Sequence, residues 1–184
     1  MAKNFTKSLM ASEDIQSLLY TGVYFDADGN KAECPNGALV VKGDMMAHNV
    51  YEGLMDPNVY AISAPTSSSD EIGIVDYVDV SYGDIMNVRY REGIKTFGIP
   101  VPKGKETRVR VPMKHDTGYF AEGNFESKPT VGQYAVPTEG STGWTPVAEK
   151  ATDKTCVKIE FEKATVEGMV NTGTEYFVRF VNVI

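Results

Sequence analysis

Three oxygen-bearing side chains at alternate positions, Asp26, Asp28 and Asn30, are the first residues in the chain whose spacing suggests chemistry. Ligands spaced in this way begin the calcium loop of an EF-hand. The rest of such a loop is missing, because Lys31 occupies the sixth position, where a glycine makes the sharp turn. Gly37 occupies the twelfth position, where a glutamate should bind the metal through both oxygens.

A turn explains the same stretch more simply. Asp28-Gly29 lies between apolar residues on both sides, and a glycine after an aspartate readily adopts a positive φ. Two apolar runs separated by such a pair are typical of a β-hairpin. The sequence therefore predicts a hairpin turn at this position rather than a metal site.

The histidines and the other acidic residues form no recognisable catalytic group. His48 has no partner at ligand spacing, and His115 is followed by Asp116, whose side chain should point away from it. Asp76 and Asp79 are an odd number of residues apart and should lie on opposite faces of a strand. No serine or cysteine occupies a GxSxG motif. We predict a non-enzymatic protein with no catalytic residues, no cofactor and no required metal, while a weak calcium site at an acidic loop stays open.

Two further stretches look like ligand sites. The segment "GIPVPKGKE" resembles a phosphate loop, but it has five residues between its glycines where four are needed. Glu106 stands where serine or threonine should bind magnesium, and Pro100 and Pro102 remove two amide donors. Trp144, the single tryptophan, could stack on a sugar, although a lone tryptophan in a Gly/Thr/Pro loop is more often a core residue or an interface anchor.

Composition narrows the class of partner. The chain has 184 residues, 42% of them hydrophobic, which suffices for one domain or two small ones. Its net charge of −7 without a lysine or arginine run argues against nucleic acid or an anionic membrane as partner. The first residues lack the apolar stretch of a signal peptide, and we expect Cys34 and Cys156 to be free thiols of a cytosol-made protein.

The patterning predicts an all-β fold, mainly antiparallel and sandwich- or barrel-like. "TRVRVPM" and "CVKIEFE" alternate apolar and polar residues, as strands with one wet face do. "EYFVRFVNVI" is apolar on both faces, which indicates a central or covered strand. One short N-terminal helix is expected near residues 12–20, with Ser12 as its cap.

Composition shifts suggest three parts: an N-terminal arm and helix (1–20), a main β domain (21–125) and a smaller β subdomain packed on it (126–184). Residues 1–11 have few large apolar side chains, so we expect an extended arm that is mobile in the free protein and orders on a target. Aromatic residues, loops and an arm of this kind are typical of a surface that docks onto another protein.

The order of these features resembles the head-decoration, or cement, proteins of tailed bacteriophages. The resemblance rests on an Asn-Gly-x-Leu-Val strand at 36–40, Gly43-Asp44, a Tyr-x-x-x-Ala-Pro segment at 60–65 leading into "EIGIVD", a Val-Gly-x-Tyr turn at 131–134 and the closing "TGTEYFVRFV". It spans most of residues 30–181.

The resemblance implies a structural protein that binds the outside of the assembled capsid in many copies and braces the contacts between capsomers. Its partners would be the major capsid protein of the same phage and neighbouring copies of itself, and it would be made in the host bacterial cytoplasm and located on the virion. The candidate capsid contacts are Phe5, Leu9, Met10, Pro100, Pro102 and Trp144. A tail-tube or baseplate β protein and a carbohydrate-binding module that uses Trp144 are the alternatives.

Overall fold

The computed structural model describes residue 3 and residues 5–46, 59–67, 70–77, 100–167 and 170–184. Eleven strands lie in these ranges and form a closed barrel and an open sheet. All pairs of neighbouring strands are antiparallel except one pair in the barrel. The predicted all-β, mainly antiparallel fold is therefore confirmed.

The barrel closes in the order β2–β4–β3–β5–β6. Its strands are β2 (Leu19–Tyr24), β3 (Leu39–Met45), β4 (Val59–Ser63), β5 (Gly73–Asp76) and β6 (Thr107–Arg110). Strands β2 and β4 run parallel, and β6 pairs back onto β2 to close the ring. Small and β-branched residues fill the interior, among them Cys34, Ala38, Val40, Ile62, Val75 and Val109.

The open sheet has six strands in the order β1–β7–β11–β10–β8–β9. They are β1 (Phe5–Leu9), β7 (Thr117–Ala121), β8 (Tyr134–Pro137), β9 (Trp144–Val147), β10 (Cys156–Glu167) and β11 (Val170–Asn182). β11 lies between β7 and β10. Of the two interpretations of "EYFVRFVNVI", a central strand or a covered one, the pairing supports the central strand. The sheet thus combines the N-terminal strand with strands from the second half of the chain.

One hydrophobic core joins the two units. Leu39, Ile72 and Ile74 from the barrel side share a buried cluster with aromatic residues of the inner sheet face, including Phe120 and Trp144. Four edge-on aromatic contacts organise this cluster, with ring centroids 5.5–6.5 Å apart. Strand pairing groups β1 and β7 with the C-terminal strands β8–β11 in one sheet. The predicted domain boundaries at 20/21 and 125/126 were drawn from composition, and they separate β1 and β7 from those strands.

The predicted N-terminal helix is absent, and the described residues contain no α-helix. Two 3-10 turns stand in its place, at Ala11–Glu13 and Gln16–Leu18, and β2 begins at Leu19. Ser12 does not cap a helix, because its hydroxyl is buried and accepts a hydrogen bond from Arg110 Nη1 at 3.1 Å. A short-range apolar pattern fits a 3-10 turn as well as the first turn of an α-helix.

The N-terminal arm is also corrected, because it lies in the chain's own sheet. β1 pairs antiparallel with β7, matching Phe5 with Phe120. The ring of Phe5 packs over Gly118, where a Cβ would lie 2.6 Å from Phe5 Cε2, and its centroid is 4.8 Å from that of Phe120. The arm was expected to order only on a target, but the chain's own strand β7 supplies the backbone hydrogen bonds that a partner was expected to provide.

Arg110 corrects the expectation that the arginines of "TRVRVPM" share a wet face. Arg108 is exposed, but Arg110 is buried, and its Nε lies 2.5 Å from Asp76 Oδ2. The Asp76 carboxylate and the Ser12 hydroxyl both accept hydrogen bonds from the buried guanidinium, and Asp76 also balances its charge. This group fastens the N-terminal turns to strands β5 and β6, since a buried charge is tolerated only when it is paired.

The turn at Asp28-Gly29 is confirmed, with a different loop length from the predicted two residues. Phe25 bridges to Lys31, and Asp26 N–H donates to the carbonyl of Asn30 at 2.9 Å. Within this loop only Gly29 has a positive φ, of 76°, which fits a three-residue loop rather than a type I′ turn. The Asp26 carboxylate accepts hydrogen bonds from the backbone N–H groups of Asp28 and Asn30, so it stabilises the turn.

Candidate binding surface

The outer face of the six-stranded sheet, which points away from the core, carries an unexpected group of aromatic side chains. Tyr119, Phe177 and Phe161 lie side by side on three neighbouring strands, because Phe177 is paired with Tyr119 of β7 and with Phe161 of β10. We call these three residues the aromatic cluster. The exposed face of an antiparallel sheet is normally polar, so this cluster is the first candidate for a functional surface.

A β-bulge in β10 creates the cluster. Ile159 is paired with Val178, but the next matched pair is Phe161 with Phe177, which leaves Glu160 as an extra residue. Ile159 and Val178 are buried on the inner face, whereas Phe161 is 43% exposed. The bulge thus directs Glu160 and Phe161 to the same side of the sheet.

The three rings contact one another closely. Phe161 and Phe177 are stacked with centroids 4.6 Å apart and an interplanar angle of 17°, and Tyr119 lies 5.0 Å from Phe177. Tyr119 meets Phe161 edge-on at 6.1 Å. These contacts hold the rings in one arrangement, so a partner would not have to order them, and binding would lose less entropy.

Charged groups surround the cluster. Glu160 Oε1 accepts hydrogen bonds from Arg179 Nη2 at 2.6 Å and Nε at 2.9 Å, and Oε2 accepts one from Lys158 at 3.2 Å. Burial alone would raise the pKa of the Glu160 carboxyl, but the hydrogen bonds and charges of Arg179 and Lys158 outweigh it and lower that pKa. On the other side, Lys163 Nζ lies 5.5 Å from the centroid of the Tyr119 ring.

A two-stranded ribbon extends beyond the sheet next to the cluster. β7 covers β11 only at 175–179, and the ladder between β8 and β10 includes only Val157 and Lys158 of β10. β10 and β11 continue to pair with each other as far as Glu167 and Val170. A ribbon of two strands is only marginally stable alone in water, so this one would gain stability from further contacts along its length.

The predicted capsid-contact residues divide into buried and accessible ones. Phe5, Met10 and Trp144 are buried in the core, so in this structure they offer no surface to a partner. Leu9 is 71% exposed and is paired with Thr117, on the same face as Tyr119. Among the remaining candidates, Pro102 is exposed and Pro100 is half-buried.

Trp144 has the role of a core residue. It is fully buried between Phe120 and Phe180, at centroid distances of 5.7 Å and 6.0 Å. Its indole N–H has no hydrogen-bond partner among the described residues. A sugar could not stack on this ring in the folded protein, so a carbohydrate-binding site built on Trp144 has no geometric support.

The acidic residues and histidines that drew attention in the sequence are dispersed. Asp76 is engaged by Arg110, and the Asp70 carboxylate accepts the N–H groups of Thr66 and Ser67. His115 is exposed in a turn, while Asp79 and His48 lie outside the described residues. Within the described ranges, no three histidine, cysteine, aspartate or glutamate side chains are grouped to hold a metal.

Sequence reasoning missed the aromatic cluster because strict alternation places Phe161 inside, with Val157 and Ile159. The bulge places Phe161 on the opposite face of the sheet from Ile159, and nothing in the local sequence indicates that a bulge occurs here. One available signal was the run "EYFVRFV", since apolar residues on both faces of a strand require a cover on the second face. The structure supplies that cover only in part.

No protein-family model, curated protein or solved structure matches this chain significantly. In the part of the chain that the structure describes, no helix is long and apolar enough to span a membrane.

Proposed function

We propose that this chain is a non-enzymatic structural protein that binds the outer surface of an assembled phage capsid and stabilises the contacts between capsomers. The observation that carries the proposal is the aromatic cluster on the outer face of the sheet, with Phe161 43% exposed. Tyrosine, phenylalanine and arginine are enriched in protein interfaces, and Arg179 borders these rings.

The cluster can supply useful but modest affinity at each site. Burying one phenylalanine side chain contributes about 1.5–3 kcal/mol relative to leaving it exposed. Phe161 has less than half of its surface left to bury, so one cluster alone would bind weakly. On a capsid the target surface is repeated many times, and copies that also touch their neighbours dissociate far more slowly than a single contact would.

The sequence resemblance supports the capsid as the target. The segment at 36–40 leads into β3, the segment at 60–65 includes most of β4, and the turn at 131–134 leads into β8. The described motifs therefore fall in strands and turns of both units.

The test measures binding to expanded, DNA-free heads of the phage whose genome carries this gene. We expect the purified chain to sediment with the heads and to raise the temperature at which they break open. Phe161→Ala should weaken binding by about tenfold, the equivalent of about 1.4 kcal/mol. Met113→Ala is the matched control, because Met113 is 44% exposed but lies in a turn outside the cluster.

Two results would contradict the proposal. The first is a folded wild-type chain that does not bind the heads. The second is a concentrated chain that assembles by itself into rings or tubes, which would favour a tail-tube protein. Equal binding by Phe161→Ala and Met113→Ala would move the contact away from the aromatic cluster.

A further inference from the structure

The charges around the aromatic cluster differ in sign from those of the chain as a whole. The chain carries 25 acidic and 18 basic residues, a net charge of −7. Beside the cluster the outer face presents three cations, Lys158, Lys163 and Arg179, with Glu160 between two of them. Both oxygens of Glu160 already accept hydrogen bonds from Arg179 and Lys158, so its charge is compensated locally.

Two further carboxylates on the described parts of β10 and β11, those of Glu162 and Glu175, do not reverse this balance. Glu175 of β11 lies opposite Lys163 of β10, at the end of the segment that β7 covers, and is only 6% exposed. Glu162 is paired with Tyr176, which belongs to the inner face and is fully buried, so Glu162 lies on the opposite side from the cluster. Lys163 is exposed, and Arg179 keeps 43% of its side chain accessible. The accessible outer face is therefore aromatic at its centre and positive at its rim.

We infer that this face docks an acidic protein surface, one that presents carboxylates on both sides of an apolar side chain. The apolar group would pack on Phe161 and Phe177, while its flanking carboxylates would pair with Lys163 on one side and Arg179 on the other. Complementary charges at the rim of an interface determine which partner binds and how fast it associates. The inference rests on the proposed function and specifies the chemistry of the capsid surface that is bound.

Single-stranded nucleic acid is the competing partner, because aromatic rings beside cations also stack bases and bind phosphates. The small extent of the positive area argues against it, since a phosphate chain would run beyond the three cations of this face. The net charge of −7 would oppose an extended polyanion over the rest of its length as well. A short acidic protein surface would contact only the positive rim of this face, so the negative charge of the rest of the chain would oppose it less.

Charge reversal on the heads tests the inference. Lys163→Glu and Lys128→Glu change the net charge equally, and both lysines are exposed, but only Lys163 borders the cluster. We expect Lys163→Glu to weaken binding by about tenfold or more and Lys128→Glu by less than about twofold. Lys163→Arg, which keeps the charge, should bind like the wild type. Wild-type affinity should fall as NaCl rises from about 50 to about 500 mM.

Synthetic probes separate this inference from the proposed function. Immobilised Glu-Phe-Glu-Phe-Glu should retain the wild-type chain, and Lys-Phe-Lys-Phe-Lys should not. If the heads are not bound but the acidic peptide retains the wild type and not Lys163→Glu, the docking chemistry stands and the capsid is the wrong target. The inference is overturned if the chain binds neither heads nor acidic peptide. It is overturned equally if Lys163→Glu binds the heads like the wild type, or if a single-stranded DNA oligonucleotide binds more tightly than the peptide.

Discussion

Strand β1 allows a sharp test, because two of its apolar residues have opposite environments. Phe5 is 4% exposed and packs on Phe120 and over Gly118, whereas Leu9 is 71% exposed. Replacing a buried phenylalanine by alanine costs about 3–5 kcal/mol, and an edge strand that can partly collapse belongs at the lower end. Truncating an exposed leucine costs about 0.5 kcal/mol or less.

These energies predict clearly different melting temperatures. In a chain of this size, 1 kcal/mol shifts the melting temperature by about 2–4 °C. Phe5→Ala should therefore lower it by about 6–12 °C, and Leu9→Ala by about 2 °C at most. Differential scanning calorimetry of both variants, with circular dichroism to confirm that each is folded, gives the comparison directly.

Gly118 extends the test to a double-mutant cycle. A methyl group at this position would lie 2.6 Å from Phe5 Cε2 and 3.3 Å from the carbonyl oxygen of Thr6, so Gly118→Ala should displace β1. The cost should be much smaller when Phe5 is already alanine, because the clash with the ring is gone. If both single variants at Phe5 and Leu9 melt like the wild type, β1 is not docked in free solution and the hypothesis of a mobile arm returns.

Three further predictions concern the interior and one turn. Arg110→Met should lower the free energy of unfolding in urea by about 3 kcal/mol, because the buried Asp76 would keep only the longer contact with the exposed Arg108, at 3.9 Å. A loss below about 1 kcal/mol would contradict this. His115→Gly should raise stability by about 1 kcal/mol, since His115 has a φ of 80° that costs a residue with a side chain; unchanged stability would mean that this strain is absent. Burial raises the pKa of the Cys34 thiol to about 12, so it should react with thiol reagents only after unfolding. Cys156 is also buried, and two thiols should titrate in denaturant without reductant, whereas none would indicate a disulfide.

Much of the β architecture was predictable because it depends on local patterns. Gly29 marks its hairpin through the positive φ that glycine tolerates, and residues 175–182 mark a central strand because both of their faces are apolar. These signals lie within a few neighbouring residues. The closure of the barrel is different, since it depends on pairing Leu19 with Arg110 across most of the first half of the chain.

The features that sequence reasoning missed depend on distant partners. Phe5 looks like an isolated anchor until Gly118 provides the space for its ring, and Arg110 looks like a surface residue until Asp76 and Ser12 surround it. The bulge at Glu160 is a further case, because its effect on Phe161 depends on the register with β11. The candidate surface was therefore beyond a reading of local alternation, although its aromatic residues were visible in the sequence.

The position of β1 has a consequence for how the chain folds as it is synthesised. The barrel strands end at Arg110, so every pairing that closes the barrel is available once that residue has left the ribosome. β1 is made before all of them, yet its partner β7 ends at Ala121, and β7 is covered on its other side only by residues 175–179 of β11. The first strand must therefore wait for the seventh, and the sheet around that pair is completed only when β11 has been made. Contacts of such long range form slowly. During that interval Phe5 and Met10 are exposed on a nascent chain, which makes the N-terminal segment the part of this protein most open to capture by chaperones or to mispairing with a neighbouring chain.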